Sequence, residues 1–295
     1  MRLTRRVLLA GALAAPLAAC GTGRAETPSV TPAVTPSGTP AVTPRRSNDV
    51  TTQRLTYGDD PSQWADLSRP DGPSKGVVVV IHGGFWKAEY DASLGEPLAA
   101  DLVERGWTVL NLEYRRVGSG PGGGGGWPAT CDDVAAGLDL LRGVDGLSLD
   151  TVVTLGHSAG GHLATWAAAR GRFDRWKGGV PVTHVISQAG VLDLARAHEE
   201  GLGGGAVAAF MGAGPGDPSY AQADPQAQVP LDVPAWCVHG DADTVVPPAY
   251  SRDYVRAATA AGGTAELVAV EGDHFVVIDP SSAAWDRTVA VLESL

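Results

Sequence analysis

Ser158 stands between two glycines in Gly156-His157-Ser158-Ala159-Gly160, directly after the apolar run Thr151-Val152-Val153-Thr154-Leu155. A serine on so tight a turn between strand and helix has its hydroxyl clear of the sheet, and small residues at 156 and 160 let the chains cross closely. The alanine-rich stretch from His162 to Ala169 supplies the helix, whose N-terminal dipole favours negative charge beside the serine. A serine hydroxyl is a weak nucleophile at neutral pH, so this chemistry also needs a histidine base and a carboxylate to orient it. Two acids, Asp241 and Asp243, follow the short apolar strand at 235 to 239, and His274 follows the strand-like run from Glu266 to Val270. Both segments leave the C-terminal ends of strands, the edge where open α/β sheets place their sites. The other histidines have plainer settings. His239 precedes a glycine at a strand end and is expected to pack there, His184 begins a strand, His198 lies in a charged helical segment, and His162 belongs to the helix after Ser158.

The fourth element is Val77-Val78-Val79-Val80-Ile81-His82-Gly83-Gly84-Phe85-Trp86. An unbroken β-branched run reads as a strand buried on both faces, and the glycines after it let backbone approach a bound carbonyl. The amides of Gly84, Phe85 and Ala159 are the expected oxyanion donors, one such donor being worth about 3 to 4 kcal/mol in the transition state. His82 is expected to brace that loop. Trp86, Trp127 and His157 are the expected substrate-pocket residues.

His82-Gly83-Gly84-Phe85-Trp86 together with Gly156-His157-Ser158-Ala159-Gly160-Gly161-His162-Leu163 resembles the α/β-hydrolase group of kynurenine formamidases, small carboxylesterases and prolyl-oligopeptidase-like catalytic domains. The resemblance covers most of residues 50 to 295 and extends through Glu113-Tyr114-Arg115-Arg116, Gly126-Trp127-Pro128 and Ala189-Gly190-Val191-Leu192-Asp193-Leu194. Gly240 to Pro247 resembles the G-x-x-D-x-x-V-P acid loop of these enzymes, which implies Asp243 rather than Asp241 as the acid, in the order Ser158, Asp243, His274. Phe85 stands where formamidases often carry tyrosine. The resemblance implies a serine hydrolase that cleaves a small or medium carboxylic ester through an acyl-enzyme and needs no cofactor. Amide cleavage, by an aryl formamidase or a short-peptide hydrolase, is the alternative reaction. A non-catalytic surface binding protein on the same scaffold is the alternative of another class.

The chain of 295 residues, 44% of them apolar, is long enough for one large α/β domain with a tail. A net charge of -11 argues against a nucleic-acid partner. Residues 1 to 20 read as an export signal: Arg5-Arg6 precede an apolar run, too short to span a bilayer, that ends in Leu17-Ala18-Ala19-Cys20. The arginine pair resembles a twin-arginine signal and the tetrapeptide a bacterial lipobox, implying a lipid on Cys20 and attachment to the outer face of a bacterial cell membrane; ordinary secretion is the alternative. Thr-Pro then recurs every four residues from Thr27 to Pro44, so residues 21 to 49 read as an extended, disordered stalk. Cys131 and Cys237 sit in core-like settings as separate buried thiols, and no His/Cys spacing suggests a metal.

Residues 50 to 295 form the expected catalytic domain. Opening strands at Leu55 to Tyr57 and Trp64 to Leu67 precede strands at 77 to 81, 107 to 112, 151 to 155, 183 to 188, 235 to 239 and 265 to 270. Helices are expected near 93 to 105, 130 to 142, 158 to 170, 192 to 200, 248 to 261 and 281 to 294. Such alternation gives a mostly parallel sheet covered on both faces. Residues 195 to 232 break the rhythm and are the expected small lid.

Overall fold

The computed structural model describes residues 51–295, within the compact unit Ser47–Leu295. The export signal and stalk read at 1 to 49 lie outside the described residues. Eight strands form one sheet: β1 (Thr51–Thr56), β2 (Trp64–Arg69), β3 (Val77–Ile81), β4 (Thr108–Leu112), β5 (Val152–His157), β6 (His184–Gln188), β7 (Ala235–Gly240) and β8 (Ala265–Val270). Their spatial order is β1-β2-β4-β3-β5-β6-β7-β8. The pairs β1 with β2 and β2 with β4 are antiparallel, and every later pair is parallel. The opening strand is longer than expected. Its residues Thr52-Gln53-Arg54 are exposed and polar, so hydrophobic periodicity gives no signal, yet their backbone pairs in register with Ser68, Leu67 and Asp66.

Eight helices accompany the sheet: α1 (Glu96–Glu104), α2 (Ala129–Asp139), α3 (Ala159–Ala169), α4 (Leu194–Glu199), α5 (Leu202–Met211), α6 (Tyr220–Ala223), α7 (Ala249–Ala260) and α8 (Ala283–Glu293). All five side chains of β3 are buried. They alternate between two cores: Val77, Val79 and Ile81 join the cluster carrying α2 and α3, while Val78 and Val80 join the one carrying α1 and α8. That is why the strand is apolar at every position, each buried side chain contributing roughly 1.5 to 3 kcal/mol. Helix starts follow their caps. The Ser282 side chain accepts from Trp285 N, and the Asp193 side chain from Arg196 N, so α8 and α4 open one residue later than these caps.

Between β6 and β7 lies the insertion expected as a lid, made of α4, α5 and α6. The first turn of α5 is left-handed, with φ of 62° at Gly203, 71° at Gly204 and 84° at Gly205. It lies against the loop after β3: a Cβ on Gly203 would meet the Phe85 ring at 2.5 Å.

Candidate active site

Because β3 and β5 are parallel neighbours at the middle of the sheet, their C-terminal loops emerge side by side. The β5 loop turns into α3 at Ser158, which has φ 55° and ψ -118°. For a non-glycine residue this is strained backbone, held by Ser158 N donating to Gln188 O and by its carbonyl accepting from His162 N. Gly160 must be glycine for the turn to close, since a Cβ there would lie 2.0 Å from the carbonyl oxygen of Ile81. Elbow and β3 loop are therefore in backbone contact.

The β3 loop is strained as well, with φ of 53° at Phe85 and 54° at Trp86. Among the described residues, no acceptor takes the N–H of Gly84 or Phe85. Ala159 opens α3, so its N–H also lacks an intrahelical partner. Behind the loop the ring of His82 stacks on Tyr114 at 4.3 Å, His82 Nδ1 donates to Gly83 O over 2.8 Å, and Tyr114 Oη donates to His82 O over 2.7 Å. Burial, reinforced by the Arg116 guanidinium, holds the His82 pKa down to about 3, so this brace is a neutral imidazole.

On the loop after β7, Asp243 is buried and each of its oxygens is doubly engaged. Oδ1 accepts from Val245 N at 2.8 Å and Val246 N at 2.9 Å. Oδ2 accepts from His274 Nδ1 at 2.6 Å and His239 Nε2 at 3.1 Å. Burial alone would push the carboxyl up, but the hydrogen bonds from His239, His274 and the Val246 amide outweigh it and hold Asp243 well below the usual carboxylate range. Asp241 is exposed on the same loop, with Oδ1 accepting from Gly272 N at 3.1 Å. Of the two acids only Asp243 reaches His274.

Ser158 and His274 open into one cavity of about 140 Å³, walled on one side by Gly84, Phe85 and His157. Its other wall is Tyr90, Leu94, Val245, Phe275 and Ile278, and no carboxylate, lysine or arginine lines it. Tyr90, Leu94 and Phe275 are 43%, 40% and 58% exposed, so the mouth carries three of the four large apolar side chains that are exposed among the described residues.

Two expected pocket residues lie elsewhere. Trp86 is fully buried because the strained backbone turns it inward, where Nε1 donates to His162 Nδ1 at 3.2 Å and the indole stacks on Phe210 at 4.8 Å. Trp127 packs edge-on against Trp176, with ring centroids 5.6 Å apart, and its backbone N–H donates to Phe210 O of α5, away from the cavity. His157 does line the cavity. Its Nε2 is committed to the carbonyl of His274. Cys131 and Cys237 are separate buried thiols, and among the described residues no group of three or more His, Cys, Asp or Glu is placed to hold a metal ion.

A family profile described as BD-FAE matches residues 66–257, well over half of the chain. The chain belongs to the BD-FAE family. Esterase LipC of Mycobacterium tuberculosis is 30% identical over 143 residues, 46% of this chain and 34% of that protein. Esterase LipQ of the same organism is 27% identical over 238 residues, 75% of this chain and 55% of that one. The chain thus spans from a third to a little over half the length of these relatives. Esterase B from Lactobacillus rhamnosis superposes with a TM-score of 0.71 at 22% identity, covering 85% of this chain and 86% of its own, which establishes the α/β-hydrolase fold. The BD-FAE match takes in β3, the Ser158 turn and Asp243 and stops before His274.

Within this BD-FAE chain the sequence reading missed His239 as a partner of Asp243, although a histidine four residues ahead of the acid, at the end of a strand, was a usable signal. It also missed the apolar wall, because Tyr90, Leu94 and Ile278 come from segments remote in sequence that only the fold assembles.

Proposed function

We propose that the protein hydrolyses small, neutral carboxylic esters through an acyl-enzyme on Ser158. The reading rests on one observation: the strained Ser158 and the Asp243-bonded His274 share one apolar cavity beside unengaged backbone amides. Ser158 Oγ attacks the ester carbonyl while His274 Nε2 takes its proton, and Asp243 holds His274 Nδ1–H in the tautomer that leaves Nε2 free. The oxyanion is received by the amides of Gly84, Phe85 and Ala159. His274 returns the proton to the leaving alcohol, and water repeats the sequence to release the acid. A lining without carboxylate, lysine or arginine offers nothing to compensate a charged acyl or alkoxy group, so the ester is uncharged near the reacting carbon. The esterase names of the two mycobacterial relatives support the same reaction class.

The test is a fluorophosphonate label with mass mapping, alongside p-nitrophenyl acetate, butyrate and octanoate, an aryl formamide and a dipeptide amide. Label on Ser158 and faster ester than amide turnover are expected. Ester turnover that survives Ser158→Ala would reject the assignment.

We also propose that Cys20 carries a lipid that holds the enzyme at the outer face of the cell membrane. The support is the tetrapeptide Leu17-Ala18-Ala19-Cys20 and the Thr-Pro repeat after it. Two acyl chains at about 0.8 kcal/mol per buried methylene suffice for stable attachment. Full-length protein should partition into detergent and Cys20→Ala should not; a mature N-terminus beyond Cys20 would refute it.

A further inference from the structure

We infer that His239 is a positioning residue for this reaction, holding the Asp243 carboxylate in the orientation from which it aligns His274, with Ser251 fixing the tautomer of His239. The inference rests on the reading of Ser158, His274 and Asp243 given above. It starts from a crowded atom: Asp243 Oδ2 accepts from two buried histidines, His274 at 2.6 Å and His239 at 3.1 Å. An aspartate is loosely held about its terminal torsion unless both oxygens are pinned; the Val245 and Val246 amides hold Oδ1, and the His239 ring holds Oδ2, the same oxygen that His274 uses.

The protonation of His239 follows from its neighbours. Its Nε2 lies 3.1 Å from Asp243 Oδ2 and 2.8 Å from Val246 O, and neither of those atoms can donate. Nε2 must therefore carry the hydrogen, shared between the two. In the neutral ring Nδ1 is then an acceptor, and Ser251 Oγ on α7 stands 2.7 Å away to donate to it. Ser251 is fully buried and His239 is 1% exposed, so water does not compete for either group. A hydrogen-bonded line thus runs from α7 through Ser251, His239 and Asp243 to His274.

Two consequences for His274 separate positioning from packing. Without the second donor on Oδ2, the Val245 and Val246 amides still hold Oδ1, but the restraint that sets Oδ2 against His274 Nδ1 is lost, and turnover falls with little change in KM. The same oxygen also becomes a stronger acceptor, so His274 holds its proton more tightly and the acid limb of kcat/KM moves to higher pH. The other groups facing His274 stay in place: the His157 ring at 4.5 Å, Ser158 across the cavity, and exposed Asp241 and Asp273 on the flanking loops.

The experiment uses the full chain, p-nitrophenyl butyrate and five proteins: wild type, Ser158→Ala, His239→Phe, His239→Gln and Ser251→Ala, each with a melting temperature, kcat, KM and a pH profile. His239→Phe is expected to lower kcat by about 10- to 100-fold, leave KM within about twofold and raise the acid-limb midpoint. His239→Gln, whose amide nitrogen can donate from near the Nε2 position, should recover most of kcat and return the midpoint toward wild type. Ser251→Ala should fall between, and carries the same test if His239→Phe does not fold. Wild-type kcat and midpoint in His239→Phe or Ser251→Ala would overturn the inference. So would equal losses in the Phe and Gln variants with an unmoved midpoint, the signature of packing alone. Both outcomes leave the nucleophile assignment standing if Ser158→Ala is inactive, whereas an active Ser158→Ala removes the assignment and this inference with it.

Discussion

His157 Nε2 donates to the carbonyl oxygen of His274 over 2.9 Å, tying the residue before the proposed nucleophile to the proposed base across 117 positions of the chain. Burial, with a smaller contribution from His274, holds the His157 pKa down to about 3, so the ring is neutral and its one hydrogen is spent on that carbonyl. Ser158 and His274 are thereby spaced by a side chain that belongs to neither.

Removing that donor should misplace His274. His157→Phe keeps a ring but leaves the carbonyl unpaired, costing about 1 to 3 kcal/mol of stability and about 10- to 100-fold in turnover. Steady-state kinetics with a thermal melt checks both, and a variant that matches wild type in each would show the tie to be idle.

The two aspartates of the β7 loop should differ sharply. Asp243→Asn puts an amide where four donors converge and should cost on the order of 10³ to 10⁴ in turnover through the wrong imidazole tautomer. Asp241→Asn, exposed and bonded only to Gly272 N, should stay within a few fold. Measured kcat in the reverse order would reassign the acid.

At the elbow, Gly160→Ala should damage the fold before the chemistry. Its Cβ would overlap the backbone oxygens of Ile81 and His82, at 2.0 and 2.5 Å, and neither strand nor turn can yield cheaply. The expected loss is about 3 kcal/mol, or roughly 6 to 12 °C in melting temperature. A melt within one degree of wild type would show that the β3 and β5 loops are not in rigid contact.

Stability should fall steeply on mild acidification. Burial lowers the pKa of His82 and His157 to about 3 and of His162 to about 4, from 6.5, so below pH 6.5 the unfolded chain takes up three protons that the folded one refuses. Asp224 acts in the opposite sense: burial raises it from 3.8 to about 6, against the pull of the Leu194 and Ala195 amides, so between those values the folded chain holds the extra proton. Three protons against one leave a net of about two taken up by the unfolded chain, so stability rises with pH by about 3 kcal/mol per unit between pH 5 and 6. Urea unfolding at pH 7, 6 and 5 measures the slope; a flat profile would mean that these histidines are not buried neutral.

The sequence disclosed the parts of this protein that are local in the chain. A serine between glycines after an apolar strand, a β-branched run ending in His82-Gly83-Gly84, and His274 after β8 each carry their geometry within about ten residues. What depends on long-range packing stayed hidden. Trp86 was assigned outward from its place in the loop, but positive φ at 85 and 86 turns it into the core against Phe210, which arrives from α5. Exposed Thr52 to Arg54 belong to β1 only because β2 lies beside them. His239 looked inert because its partner Ser251 lies twelve residues on, across a loop and a helix start.

The left-handed turn at the start of α5 gives the insertion between β6 and β7 a handedness of its own. Gly203, Gly204 and Gly205 all have positive φ and amount to one short left-handed turn, in which each L-residue would cost roughly 1 to 2 kcal/mol. Gly204 has open space around a would-be Cβ, so nothing there forbids a side chain except chirality. At Gly204 and Gly205 a side chain would meet a backbone cost and no clash, whereas at Gly203 it would also strike the Phe85 ring. The insertion can therefore vary along the right-handed part of α5 more readily than at this turn, where each L-residue works against the backbone.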